Sequence, residues 1–203
     1  MEKEEIKKHI DAIIKTTFNT LKFVYEHHKE NDPQDPQFGV SRLVFPKYSD
    51  STPRLSEQEL RFVFVEKFNQ YCSLHGLPWY YSVETPTDFK YIFSDHNNKI
   101  EPRKDENGQS AMVDLAIHGE NLKRLALIEF KALNPDASCF DKDFVKLENE
   151  PADLTFFIMY VKSHDIGTIN SLKLKIGKKS ENTEFICFDL TKGEEIHKEI
   201  LGQ

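Results

Sequence analysis

The sequence predicts an α/β fold, a mixed β-sheet flanked by helices, and three observations carry that prediction. From residue 56 onward, helical stretches and strand-like runs follow in the order α-β-β-β-α-β. The run "DLTFFIMYV" is apolar almost throughout, as in a parallel strand buried on both faces and reached by a crossover helix. The chain of 203 residues is 38% hydrophobic and 12% aromatic, enough for a sizeable core.

We divide the chain into an N-terminal helical extension with a Pro-rich connection, residues 1–53, and a main domain, residues 54–203. Residues 4 to 29 place Ile6, Ile10, Ile13, Ile14, Phe18, Leu21, Val24 and Tyr25 at helical spacing among Lys and Glu. This amphipathic helix either dimerises the protein or recruits a partner, or packs in cis against the rest of the chain. Pro33, Pro36, Pro46 and Pro53 then enforce an irregular connection, with a short strand expected at "VSRLVF".

The helix beginning at residue 57 is announced by Ser56 and Glu59, the two halves of a capping box, and stopped at Gly76. "PWYYSVE" and "DFKYIFSD" are aromatic and β-prone, and "SAMVDLAIH" and "LKRLALIEFKAL" are two further strands joined through the turn-like "GEN". "SCFDKDFVKLENE" puts Phe140, Phe144 and Leu147 on one helical face. "DLTFFIMYV" follows, then a helical stretch near 165–176 and a last strand, "EFICFDL".

Bulk chemistry narrows the function little. A net charge of −7 argues against a wholly basic nucleic-acid coat protein while leaving room for a local basic patch. Cys72, Cys139 and Cys187 form no CxxC pair, so neither a disulfide framework nor a structural zinc site is indicated. His27, His28, His75, His96, His118 and His164 likewise lack zinc-site spacing. With no run of 18 apolar residues and no apolar core of a signal peptide, we expect a cytoplasmic protein with no membrane partner.

The informative feature is "RLALIEFKALNP", an apolar strand interrupted by Glu129 and Lys131. Strand alternation puts these two on one face with Leu125 and Leu127. A hairpin centred near Asn121 and Leu122 sets Asp114 opposite Glu129, with β-carbons roughly 5 Å apart. Two carboxylates that close repel unless a cation lies between them, and a hard divalent ion with oxygen ligands meets that need. Lys131 adds an ammonium on the same face. The plain alternative, a solvated surface ion pair, does not account for acids on otherwise apolar strands, because buried charge must be paired or ligated. On the first helix of the main domain, Leu60, Phe64, Phe68 and Tyr71 fall within about 60° of Glu57, while Glu59 and Glu66 lie on the far side. Glu57 is therefore an acid on the core-facing stripe, besides favouring the helix dipole.

These residues resemble the restriction-endonuclease-like, or PD-(D/E)xK, nuclease superfamily, over roughly residues 56 to 161. The family's core is an αβββαβ unit, and its metal site takes an Asp from the second strand, an acid-x-Lys from the third and often a Glu from the first helix. Carried onto this sequence, these are Asp114, Glu129 with Lys131, and Glu57; Val113 stands where the formal motif has Pro. The resemblance implies a nuclease dependent on Mg²⁺ or Mn²⁺ and acting on nucleic acid, DNA before RNA. It further implies that Asp114, Glu129, Glu57 and the backbone carbonyl of Phe130 serve the metal, and that Lys131 positions water and stabilises the phosphate. The competing expectation is a catalytically inactive nuclease-fold module for nucleic-acid binding or assembly. An unrelated α/β protein would place Asp114 and Glu129 apart.

Lys162, Lys173, Lys175, Lys178 and Lys179 form a local basic excess, a candidate contact for the phosphate backbone. We expect Trp79, Tyr80 and Tyr81 to pack in the core rather than stack on bases, and His118 to lie at the strand end on the Asp114 face.

Overall fold

The computed structural model describes residues 1–27, 41–93, 101–176 and 182–202. The periodic apolar residues at the start of the chain form helix α1 (Lys3–Glu26), which buries Ile6, Ile10, Ile13, Ile14, Phe18 and Leu21. Helix α2 (Glu57–His75) follows, opened by the Ser56–Glu59 capping box and closed by Gly76 in the left-handed conformation, φ 62°. The two helices pack on each other, and their buried faces join one apolar cluster with the sheet. Phe18 stacks on Phe188 with ring centroids 4.7 Å apart. The apolar stripe of α1 is thus covered in cis, and residues 1–53 and 54–203 contribute to the same core.

Seven strands make one mixed sheet: β1 (Tyr80–Ile92), β2 (Arg103–Lys104), β3 (Gln109–His118), β4 (Arg124–Ala132), β5 (Leu154–Val161), β6 (Glu184–Asp189) and β7 (Glu194–Glu195). Their spatial order is β2-β1-β3-β4-β5-β6-β7. The pairs β4–β5 and β5–β6 are parallel and the others antiparallel. Helices α3 (Ala137–Asn149) and α4 (Ile166–Ile176) make the two crossovers, and α5 (His197–Leu201) ends the described chain. Phe140 and Phe144 of α3 stack on Phe157 of β5 in a second cluster, on the face away from α1 and α2. The result is an α/β/α arrangement. Both faces of the central strands are buried, which is why "TFFIMYV" carries no alternation.

Four details differ from the sequence expectations. "PWYYSVE" and "DFKYIFSD" supply one strand, not two, because Pro86 does not end β1. The neighbour β2 pairs only with Tyr91 and Ile92, so at Pro86 the outer edge is unpaired and no ladder donor is missed; the register shifts just beyond it. No strand forms over 41–46, where the chain meets itself only at the Lys47–Pro53 bridge. Glu59 is buried at 5% exposure rather than turned outward: its carboxylate accepts from the Ser56 N–H at 2.8 Å and lies 3.7 Å from Arg54. The short β7 and α5 carry too little periodicity to be read in advance. Among the described residues, no helix is long and apolar enough to cross a membrane.

Because α1 is part of the core, Phe18→Ala should destabilise the whole chain by about 3–5 kcal/mol in urea unfolding. A loss under about 1 kcal/mol would mean that α1 is not integral to the fold.

Candidate functional site

The β3–β4 ladder runs Leu115↔Ile128, Ala116↔Leu127 and Ile117↔Ala126, a register that carries Asp114 to the place opposite Glu129. The hairpin turn holds Asn121 and Leu122 at positive φ, 58° and 57°, and the ladder shifts register once, between Ile117 and His118, before it reaches Asp114. At Asp114 the side chain takes over from the ladder: its Oδ2 accepts the Phe130 N–H at 2.8 Å. Glu129 and Lys131 share the Leu127 face of β4, under α3.

Helix α3 brings two groups to these acids. Asp143 Oδ2 lies 2.7 Å from Lys131 Nζ, and Asp143 Oδ1 lies 2.9 Å from Lys146 Nζ. Lys146 donates to the Met112 carbonyl at 2.8 Å, and its ammonium lies against Glu129 Oε1, an ion contact without hydrogen-bond geometry. From α2, Glu57 Oε2 approaches Lys131 Nζ to 3.7 Å, and Arg61 Nη1 stands 3.9 Å from Asp114 Oδ1. Lys131 also donates to the Phe130 carbonyl at 3.2 Å. Four elements, α2, β3, β4 and α3, converge on one charged cluster toward the C-terminal end of β4.

The electrostatics follow from burial. Glu129 is held well above the usual carboxylate range by desolvation, then by the Asp143 and Asp114 charges, which together outweigh Lys146. Glu57 is pushed up by its partial burial, opposed by Lys131 and assisted by Asp114 and Asp143. Burial alone would lower Lys131 and Lys146, but the surrounding carboxylates, Asp143 first for Lys131 and Glu129 first for Lys146, raise both. Both lysines are therefore ammonium ions at neutral pH.

Asp114, Glu129, Lys131 and Glu57 are thus neighbours, with Phe130 between the two β4 charges. Glu57 sits at the rim, its side chain 44% exposed, rather than under the core stripe. His118 does not approach the site; it lies four residues, about 13 Å, along β3 from Asp114 and pairs with Ser82 at 2.8 Å. Trp79 is buried as expected, but Tyr80 and Tyr81 are exposed. Of the lysine group, Lys175 binds Asn134 Oδ1 at 2.6 Å and the Pro135 carbonyl at 2.7 Å, tying α4 to the loop after β4. Lys162 and Lys173 are exposed, and Lys178 and Lys179 lie outside the described residues.

Asp143, Lys146 and Arg61 had not been singled out from sequence. The signal for Asp143 was present, since it falls on the stripe Phe140, Asp143, Phe144, Leu147 at i, i+3, i+4 and i+7, an acid where a core residue belongs. Arg61 follows Glu57 by four positions, one helical turn. No protein-family model, curated protein or solved structure matches this chain.

The carboxylates of Asp114, Glu129 and Glu57 and the Phe130 carbonyl are oxygen donors of the kind a hard divalent cation takes, and Glu129 Oε1 already touches the Lys146 ammonium. As the side chains stand, no three His, Cys, Asp or Glu among the described residues close around one point. The Lys131 and Lys146 ammoniums stand between the carboxylates instead.

Two stability predictions follow from this geometry. Folding raises the Glu129 carboxyl, so between its unfolded value, about 4.3, and its higher folded value the native state binds the extra proton and stability falls as pH rises. Glu129→Gln removes that term. Its unfolding free energy relative to wild type should grow across this window by up to about 1.4 kcal/mol per pH unit, and a pH-independent difference would contradict the burial. Lys146→Met leaves Glu129 uncompensated and should cost about 3–5 kcal/mol at pH 7; a neutral effect in urea unfolding would show that the contact carries no weight.

Proposed function

We propose that this chain is a divalent-metal-dependent nuclease of restriction-endonuclease-like fold that hydrolyses phosphodiester bonds, those of DNA before those of RNA. One observation carries the reading. Asp114 and Glu129 face each other on adjacent buried strands, Lys131 lies two residues along the same face, and Glu57 approaches from the N-terminus of α2. The order α2-β1-β3-β4-α3-β5 is also that of the nuclease core, with the short β2 as an addition.

Asp114, Glu129, the Phe130 carbonyl and Glu57 are the groups that would hold Mg²⁺ or Mn²⁺. The ion would supply Lewis-acid neutralisation of the phosphoryl oxygens and lower the pKa of a bound water. The protein's own contribution is positional. Lys131 is held by Asp143 and stays charged, so it orients the attacking water and offsets charge on the phosphate as an electrostatic group rather than as a free base. The Asp114–Phe130 hydrogen bond fixes one carboxylate before substrate arrives, which limits reorganisation during the reaction. Exposed Lys162 and Lys173 are available to the nucleic-acid backbone outside this centre.

A second reading, a catalytically inactive nuclease-fold module that binds nucleic acid or a partner, is favoured by the ion contacts that already compensate Glu129 and Asp143 without metal.

Plasmid and single-strand cleavage in Mg²⁺ or Mn²⁺, with calorimetric titration of the same ions, separates the two. The nuclease reading predicts metal-dependent cleavage that falls at least about 100-fold in Asp114→Ala and in Lys131→Ala, with metal binding lost only in Asp114→Ala. Absence of both metal binding and cleavage in the wild type would transfer the assignment to the inactive module.

A further inference from the structure

Arg61 is a cation of this cluster that the proposed chemistry leaves without a task. Its side chain is 17% exposed, and its guanidinium is shared three ways. Nη1 lies 2.5 Å from Glu84 Oε1, Nη2 donates to Gln58 Oε1 at 2.5 Å, and Nη1 stands 3.9 Å from Asp114 Oδ1. The residue thus bridges α2 to β1 at the Asp114 carboxylate, one helical turn from Glu57.

Glu84 is the unusual partner. In the β1–β3 ladder Val83 faces Leu115 and Thr85 faces Val113, so Glu84 takes the place opposite Asp114, which is itself opposite Glu129. Three successive strands would carry three carboxylates in line. Glu84 departs from the strand conformation there, with φ 47°, the left-handed region that a residue with a Cβ rarely enters. Its carboxylate is 54% exposed and bound to Arg61, so the strained residue serves as a solvent-facing internal anion on an otherwise enclosed guanidinium.

Glu84 occupies one nitrogen of the guanidinium and Gln58 the other, and a guanidinium fork accepts a phosphate as readily as a carboxylate. We propose that Arg61 grips a backbone phosphate of nucleic acid bound beside Asp114, and that Glu84 is the internal anion it releases on binding. Phe62, next to Arg61 in the chain, and Val83, next to Glu84, are both exposed. This inference rests on the nuclease reading and deepens it by naming a substrate contact that binds without metal.

The test is fluorescence anisotropy of a short labelled DNA duplex in EDTA, over a series of salt concentrations, with thermal unfolding of each variant. Arg61→Gln should weaken binding about tenfold and reduce the slope of log K against log salt by about 0.9. Glu84→Gly suits the left-handed backbone and should fold at least as stably as wild type. It should tighten binding, and the tightening should vanish in Arg61→Gln/Glu84→Gly. Wild-type affinity and salt slope retained in Arg61→Gln would overturn the inference while leaving the nuclease reading intact. So would tightening that persists in the double variant, because removal of one negative charge then accounts for it. A wild type that binds the duplex at no salt concentration would overturn the inference together with the nucleic-acid reading beneath it.

Discussion

A carboxylate buried in the middle of a central strand is the constraint on which the rest of this site depends. Glu129 is fully enclosed on β4, and ionised burial without compensation is untenable in a folded protein. The compensation comes from the next helix in the chain: Lys146 lies against Glu129, Asp143 holds Lys146 in place, and the same Asp143 holds Lys131. Lys131, Lys146 and Asp143 each have two or more partners and Glu129 is reached through Lys146, so the arrangement is a network rather than a set of pairs. Such a network rewards one strand register and one seat for α3 over the sheet. That is a role in specificity more than in net stability, since apolar groups of equal volume often stabilise as much.

The sheet and both helix layers converge to build it. The parallel crossover β4-α3-β5 delivers α3 over the Leu127 face, where Phe140 and Phe144 anchor on Phe157. Those aromatic contacts set the rotation of α3, and the rotation aims Asp143 and Lys146 at β4. On the other face, α1 and α2 pack on Ile128 and Phe130, and the capping box fixes where α2 begins. The start of α2 then decides that Glu57 and Arg61 reach the rim. The charges are held by apolar packing whose register was set elsewhere.

Much of this was legible in the sequence, and the reasons are local. The hairpin centre at 121–122 follows from "GEN" between two apolar strands and places Asp114 across from Glu129, although the register shift between Ile117 and His118 gave no sign of its own. The capping box, the Gly76 stop and the continuous apolar run of β5 are signals from neighbouring residues. What escaped depends on tertiary partners. Lys146 and Asp143 went unassigned because the sequence does not say that α3 lies over the face of β4 that carries Glu129 and Lys131. Glu59 was assigned outward by helical angle, whereas its capping bonds draw the carboxylate inward. "PWYYSVE" and "DFKYIFSD" read as separate strands, yet β1 runs through Pro86 because the sheet leaves that edge unpaired. Glu84 gave no warning, since a single residue with positive φ has no pattern of its own.

On the proposed function, the Lys146 ammonium compensates Glu129 until a divalent cation takes that part. The most direct measurement is anomalous diffraction at the manganese edge from crystals of the wild-type chain soaked in Mn²⁺. The proposed metal site predicts one strong peak bounded by the Asp114 and Glu129 carboxylates, with the Lys146 ammonium withdrawn from Glu129. Full soaking with no peak there, and Lys146 still in contact with Glu129, would contradict it.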